Sequence, residues 1–149
     1  MSYLAKLKEM GYELEVVDLD GGRLMQAVRS GDHVYVSGQV SRFGDEEIQG
    51  KVGQDLTTEE GYRAAQLCAL SILQAVHSIA GLDNVRQVVK VFGMVNVAPG
   101  FDDTPSVIHG CSELFIELFG DAGRHARSAI GLTVPLNWAV EIEAIIAVD

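Results

Sequence analysis

His125-Ala126-Arg127-Ser128-Ala129-Ile130-Gly131-Leu132 and, beyond Pro135, Trp138-Ala139-Val140-Glu141-Ile142-Glu143-Ala144-Ile145-Ile146-Ala147-Val148 make up the last quarter of the chain. Both runs are apolar with isolated charges, and the short link between them reads as a closing antiparallel hairpin. Opposed residues of a hairpin share a face, so Arg127 and Ala129 set across from Glu143 and Glu141 would bring the guanidinium to one or both carboxylates. A charge among apolar residues is costly unless it is paired or reaches a wet cleft. Two readings stay open: a salt bridge at a sheet edge, or a site in which an arginine grips a carboxylate while a glutamate orients water or moves a proton.

Upstream of this pair the elements follow from periodicity and punctuation. Tyr3 to Met10 reads as a short helix ended by Gly11, followed by a strand candidate at Glu13 to Val17. Leu24 to Arg29 and His33 to Gln39 read as strands joined by a tight turn at Gly31-Asp32. Arg42 to Asp55 is polar and aperiodic, the signature of a loop. Thr57 or Thr58 caps a helix with Glu59 and Glu60 in its first turn, where the helix dipole favours negative charge. Ala65, Cys68, Ala69, Ile72, Val76 and Ile79 give it one apolar face as far as Gly81. Val85 to Val97 reads as a long strand, and Pro105 to Phe119 as a second helix with Thr104 as its cap and Gly120 at its end.

This order predicts an α+β fold, a mostly antiparallel or mixed six-stranded sheet with two helices packed on one face. It occupies residues 1–149 as a single domain. Two helices cannot cover both faces of such a sheet. Residues such as Val36, Val91 and Ile142 are therefore expected to meet other subunits.

Composition narrows the partners. The 21 acidic residues against 11 basic ones give a formal charge of −10, and no basic run focuses the positive groups. That argues against nucleic acid and against an anionic membrane, but not against a small anion held by one arginine in a cleft. Two well-separated cysteines, Cys68 and Cys111, and the lack of a signal-like segment or a membrane-length apolar run point to a cytoplasmic protein. The four histidines lack metal-ligand spacing, and Gly50-Lys51-Val52-Gly53 lacks the pattern of a phosphate loop. No metal or cofactor is expected.

Several motifs together carry a family likeness. Gln26-Ala27-Val28, Val34-Tyr35-Val36-Ser37-Gly38-Gln39, Val88-Val89-Lys90-Val91, Ala126-Arg127-Ser128, and Pro135 leading into Val140-Glu141-Ile142-Glu143-Ala144-Ile145 occur in the order and spacing of the RidA/YjgF family. The chain resembles that family, formerly labelled endoribonuclease L-PSP, over nearly its whole length. Gly50-Lys51-Val52-Gly53, Glu60-Gly61-Tyr62-Arg63 and Gly120 to Ser128 place it in a longer, less characterised branch. The resemblance implies a chorismate mutase-like fold assembled as a homotrimer around a central sheet barrel, with three clefts between neighbouring subunits. In the deaminases of the family, the arginine matched by Arg127 holds the carboxylate of a 2-imino or 2-enamino acid. The glutamate matched by Glu141 positions the water that gives a 2-oxo acid and ammonia. A backbone group at Ala129 helps to hold the ligand, Gly38 lies beside the cleft and Glu143 supports Glu141.

The lining departs from the family pattern at Leu24, where an aromatic residue is common, at Ala129, where a cysteine is common, and at His109, where asparagine is usual. Leu24, His109 and Arg124 join Arg127, Ala129 and Gly38 as expected substrate-binding positions, with Arg127 and Glu141 catalytic. His109 also reads as a surface or cap residue. Arg124 and His125 read either as a charged strand entrance or as flanks of an anionic ligand, and Lys51 as part of a solvated charge cluster with Glu59, Glu60 and Arg63 or of a lid. The alternative function is a non-catalytic binding or regulatory trimer for small carboxylic acids.

Overall fold

The computed structural model describes residues 1–149. Helix α1 (Tyr3–Glu9) is capped by Ser2, whose hydroxyl accepts the Ala5 N–H, and it buries Leu7. Strands β1 (Ala27–Ser30) and β2 (His33–Val40) form the hairpin expected at Gly31-Asp32, with Ser30 opposite His33. A two-stranded ribbon follows, β3 (Arg42–Phe43) and β4 (Glu46–Glu47). Helix α2 (Thr58–Ala80) starts at Thr57 in a reciprocal capping box: the Thr57 hydroxyl accepts the Glu60 N–H, and the Glu60 carboxylate accepts the Thr57 N–H. Strand β5 (Val85–Asn96), helix α3 (Thr104–Phe119) and strands β6 (Ala126–Leu132) and β7 (Val140–Val148) complete the chain. Asp103 rather than Thr104 caps α3, accepting the Ser106 N–H.

The main sheet has the order β1-β2-β7-β5-β6, and every pairing is antiparallel except β5 with β6. Several expectations are corrected here. The sheet has five strands rather than six, the ribbon forms a second sheet, and there are three helices rather than two. Neither sheet closes into a barrel: β1 and β6 are open edges. The last two strands are not a hairpin, because β5 lies between β6 and β7 and takes β6 in parallel register. The link at Pro135 is short in sequence, but the 3₁₀ turn Pro135–Asn137 and the stretch around it carry the chain past β5.

The Glu13 to Val17 segment forms no strand. It runs beside α2, where the Gln74 side chain accepts the Glu15 N–H and the Ser78 hydroxyl accepts the Val17 N–H. Residues 42–55 are more ordered than a loop. The Ser71 hydroxyl donates to the Arg42 carbonyl, and Arg63 forks onto Glu46 at 2.9 Å through both nitrogens. Lys51 takes no part in a cluster with Glu59 and Glu60; its Nζ donates to Oδ1 of buried Asn96 at 3.2 Å.

The core lies between the sheet and helices α2 and α3. Alternation along the strands sends Val34, Val36, Val88, Val91, Ile142 and Ile146 under the helices. Val36, Val91 and Ile142, expected to lie beyond the helices' reach, are thus fully covered within one chain. The opposite phase of the same strands is what stays open: Val28, Tyr35 and Ile130 are 50%, 47% and 41% exposed. The exposed apolar residues of the sheet thus belong to the other phase of the strands.

Candidate functional site

Strand register decides which charged residues can meet. Arg127 is opposite Val91, and Val91 is opposite Ala144, so Arg127 belongs to the helix-covered face. Glu141 is opposite Met94 and Glu143 opposite Phe92, residues of the open face. One intervening strand, β5, and the thickness of the sheet separate Arg127 from Glu141. No ion pair joins Arg127 to either glutamate within the chain. The edge salt bridge and the single-chain site pairing Arg127 with these carboxylates both fail, because each assumed that β6 and β7 are neighbours.

What meets Arg127 instead is α3. His109 and Ser112 are three residues apart and so share one face of that helix. The Arg127 Nη1 donates to His109 Nδ1 at 3.0 Å and to Ser112 Oγ at 3.2 Å. Guanidinium only donates, so His109 Nδ1 is the bare acceptor and its Nε2 carries the proton. The Ser112 hydroxyl stands 2.9 Å from His125 Nε2, and His125 Nδ1 stands 2.7 Å from the Gly123 carbonyl. A carbonyl only accepts, so Nδ1 holds the proton and Nε2 receives the Ser112 hydrogen. Burial first, and the Arg127 charge more weakly, hold His125 below its ordinary value against the opposing bond to Gly123, which keeps the imidazole neutral.

The consequence is a fixed guanidinium. Both Nη1 hydrogens are spent on α3, whereas Nε and Nη2 donate to no protein group. That remaining edge is the one that matches the two oxygens of a carboxylate. Arg127 lines a cleft of about 360 Å³ together with His109, Ser112, Glu113, Ile116, Arg124 and His125. Within this lining Glu113 is the one carboxylate, and it accepts the Tyr62 hydroxyl hydrogen, which is pushed up to about 12 by that bond. Cys111 lies beneath as a buried thiol whose ionisation burial suppresses.

The other expected residues gather on the open face. Strand β2 bulges between Val36 and Gln39, and Gly38 in that bulge lies against the Glu141 carboxyl: a Cβ there would overlap Oε2 and come within 2.9 Å of Cδ. Burial, and next the charge of Glu143, hold the Glu141 carboxyl above the ordinary range. Leu24 is exposed in a turn beside this spot, where the Ser37 hydroxyl donates to the Met25 carbonyl. Ala129 lies on β6 two residues beyond Arg127, with its carbonyl accepting the Thr104 hydroxyl. The expected set therefore divides. Arg127, His109, Arg124 and Ala129 form one half, and Glu141, Glu143, Gly38 and Leu24 the other.

Ser112 was absent from the expected set and His125 only a flank. Their signal was nonetheless present, in the three-residue spacing from His109 to Ser112 and the two-residue spacing from His125 to Arg127.

The whole arrangement has relatives. The family model described as "YjgF/chorismate mutase-like, putative endoribonuclease" matches residues 5–144. Protein TCP17 of Trypanosoma cruzi is 34% identical, over 97% of this chain and 93% of its own. The crystal structure of Atu1372 from Agrobacterium tumefaciens, a protein described as of unknown function, is 36% identical with a TM-score of 0.90, covering 99% of this chain and 92% of that one. Escherichia coli TdcF, solved with bound serine, shares the fold at 21% identity and a TM-score of 0.65, over 93% of this chain and all of its own. With a family match spanning nearly every element from α1 to β7, and a relative of this identity along its length, the chain belongs to the YjgF/RidA family.

Proposed function

We propose that the chain binds a small carboxylic acid on Arg127 and hydrolyses 2-imino or 2-enamino acids to 2-oxo acids and ammonia, at a cleft completed by a second copy in a homotrimer. The observation that carries this reading is the unspent Nε and Nη2 edge of a guanidinium locked by His109 and Ser112. Such an edge accepts a carboxylate without reorganising, because the orientation is already fixed by the fold. The serine held by TdcF carries the same carboxylate group.

A second copy supplies what one chain lacks. Glu141 and Arg127 lie on opposite faces of the sheet, so the glutamate that faces a given Arg127 comes from a neighbour whose open face meets the β6 edge. The apolar residues of that face, Tyr35 and Ile130 among them, favour such a contact. Glu141, held above the ordinary carboxylate range, is a stronger base than a free glutamate once ionised. It accepts a proton from water as the oxygen attacks the imine carbon. The nitrogen takes up the proton that Glu141 returns and the second proton of that water, the carbon–nitrogen bond breaks, and ammonia leaves as the 2-oxo group forms; a 2-enamino acid enters the step as its imine tautomer. Arg127 holds the carboxylate throughout.

The separation of the two residues within one chain also supports a second reading, a trimer that binds the acid without turning it over. One experiment separates them. Ammonia release from freshly generated 2-imino acids is measured beside calorimetric binding of 2-oxobutyrate, for the wild type, R127A and E141A, with the assembly checked by sedimentation. The enzyme reading expects ammonia release that both variants abolish. Binding that is lost in R127A and kept in E141A, without ammonia release in the wild type, selects the second reading. Absence of binding by an assembled wild-type trimer overturns both.

A further inference from the structure

We propose that the Arg127 cleft selects a dicarboxylate, a 2-oxo or 2-imino acid of roughly four or five carbons whose second carboxylate lies on Arg124. This rests on the assignment of the first carboxylate to Arg127 and deepens it. The cleft of about 360 Å³ is lined by two arginines, Arg124 and Arg127. Neither has a carboxylate within ion-pair distance: the three ion pairs of the chain belong to Lys8, Arg63 and Arg86. In a chain of net charge −10, two unpaired arginines facing one small cavity are a local reversal of the field.

The chemistry of the remaining lining points the same way. His109 holds its Nδ1 on Arg127, which leaves the protonated Nε2 as a third donor at the cleft. Within one chain Glu113 is the acidic group of the lining; it keeps its charge, but its carboxylate is held towards Tyr62, whose hydroxyl it accepts, and two arginines outnumber it. Ser112 bonds both to His125 and to Arg127, so the pair steadies the first subsite rather than forming a second. A monocarboxylate would leave the Arg124 charge unanswered beside an occupied Arg127.

The spacing suits a diacid. Arg124 has an extended backbone at the end of the 3₁₀ turn Gly120–Gly123, and three residues carry the chain from it to Arg127. Their Cα atoms are therefore at most about 10 Å apart. Two arginines that line one cleft from that separation can hold the two ends of a short diacid.

The test is calorimetric binding of 2-oxobutyrate, oxaloacetate and 2-oxoglutarate to the assembled protein at fixed ionic strength, for the wild type, R124Q and R127A. Wild type is expected to bind at least one diacid about tenfold or more tighter than the monoacid, in keeping with one added charge-assisted contact. R124Q is expected to bring that ratio below about twofold, and R127A to abolish binding of all three. A wild type that binds monoacid and diacids equally overturns the dicarboxylate assignment and leaves the Arg127 reading standing. A diacid preference that R124Q leaves intact overturns the role of Arg124. Binding of none of the three by wild type overturns the Arg127 reading, and the dicarboxylate assignment with it.

Discussion

Replacing Gly110 by alanine sets two effects of known sign against each other. Gly110 lies in α3 where it crosses α2, on the seam where Gly61 meets Val107 and Gly110 meets Ala65. A Cβ at Gly110 would overlap the Tyr62 carbonyl oxygen and lie 2.9 Å from its carbon and 3.2 Å from Ala65 Cβ. Restoring an ordinary carbon contact of about 3.5 Å requires the helices to part by at least about 0.6 Å, a gap that forfeits a quarter or more of the dispersion along the seam. The obstacle is backbone rather than a side-chain tip, so the cost belongs near the upper end of overpacking, about 3 kcal/mol. Alanine returns about 1 kcal/mol through helix propensity. The net expectation is a loss of about 2 kcal/mol, which lowers the urea midpoint by about 1 M for an m-value of about 2 kcal/mol per M. Both proteins are compared at one concentration, because assembly contributes to apparent stability. A G110A midpoint equal to or above that of wild type would mean that propensity wins, and would refute the close crossing that delivers His109 and Ser112 to Arg127.

Two further expectations concern pH. His125 is held below 6.5 in the native chain, so between that lowered value and 6.5 the unfolded chain binds a proton that the native chain refuses. Stability therefore rises with pH through that window and is lost as pH falls through it. The C2 proton resonance of His125, followed from pH 4 to 8, is expected to titrate below 6.5; a midpoint at or above 6.5 contradicts the Ser112 to His125 arrangement. Glu141 has the opposite sign. It is held above 4.5, so stability falls as pH rises from 4.5 through the raised value, and E141Q is expected to gain on wild type across that window and to match it at lower pH. Denaturant midpoints measured from pH 4 to 7 that show no growing advantage for E141Q would count against burial of that carboxyl beside Glu143.

Helix α2 was legible almost to the residue. Thr57 with Glu60 is a local capping signal, and the apolar face from Ala65 to Ile79 needs no knowledge of the partner to be recognised. Strand-forming runs likewise announced β2 and β5, and Gly31-Asp32 the turn between β1 and β2. The failures came where an answer depended on what lies next to what. Glu13 to Val17 has strand composition, but it runs along α2, where the amides of Glu15 and Val17 are satisfied by Gln74 and Ser78. Val36, Val91 and Ile142 were assigned the uncovered face because alternation reveals two phases without saying which one the helices cover.

By itself, the amino-acid order determined the long helices and most strands, the charge, the family resemblance and the short roster of chemically capable residues, since each of these is a matter of local propensity, composition or spacing. Only the tertiary structure decided how those residues combine. Inserting β5 between β6 and β7 turned an apparent hairpin into a parallel edge and placed Arg127 and Glu141 on opposite faces. The same step brought α3 down on Arg127, whose Nη1 is held by His109 and Ser112 while the carboxylate-matching edge stays free. Pairing in a sheet is a long-range choice made by the whole core, and two adjacent strands in a sequence carry no local signal for a third that will come between them.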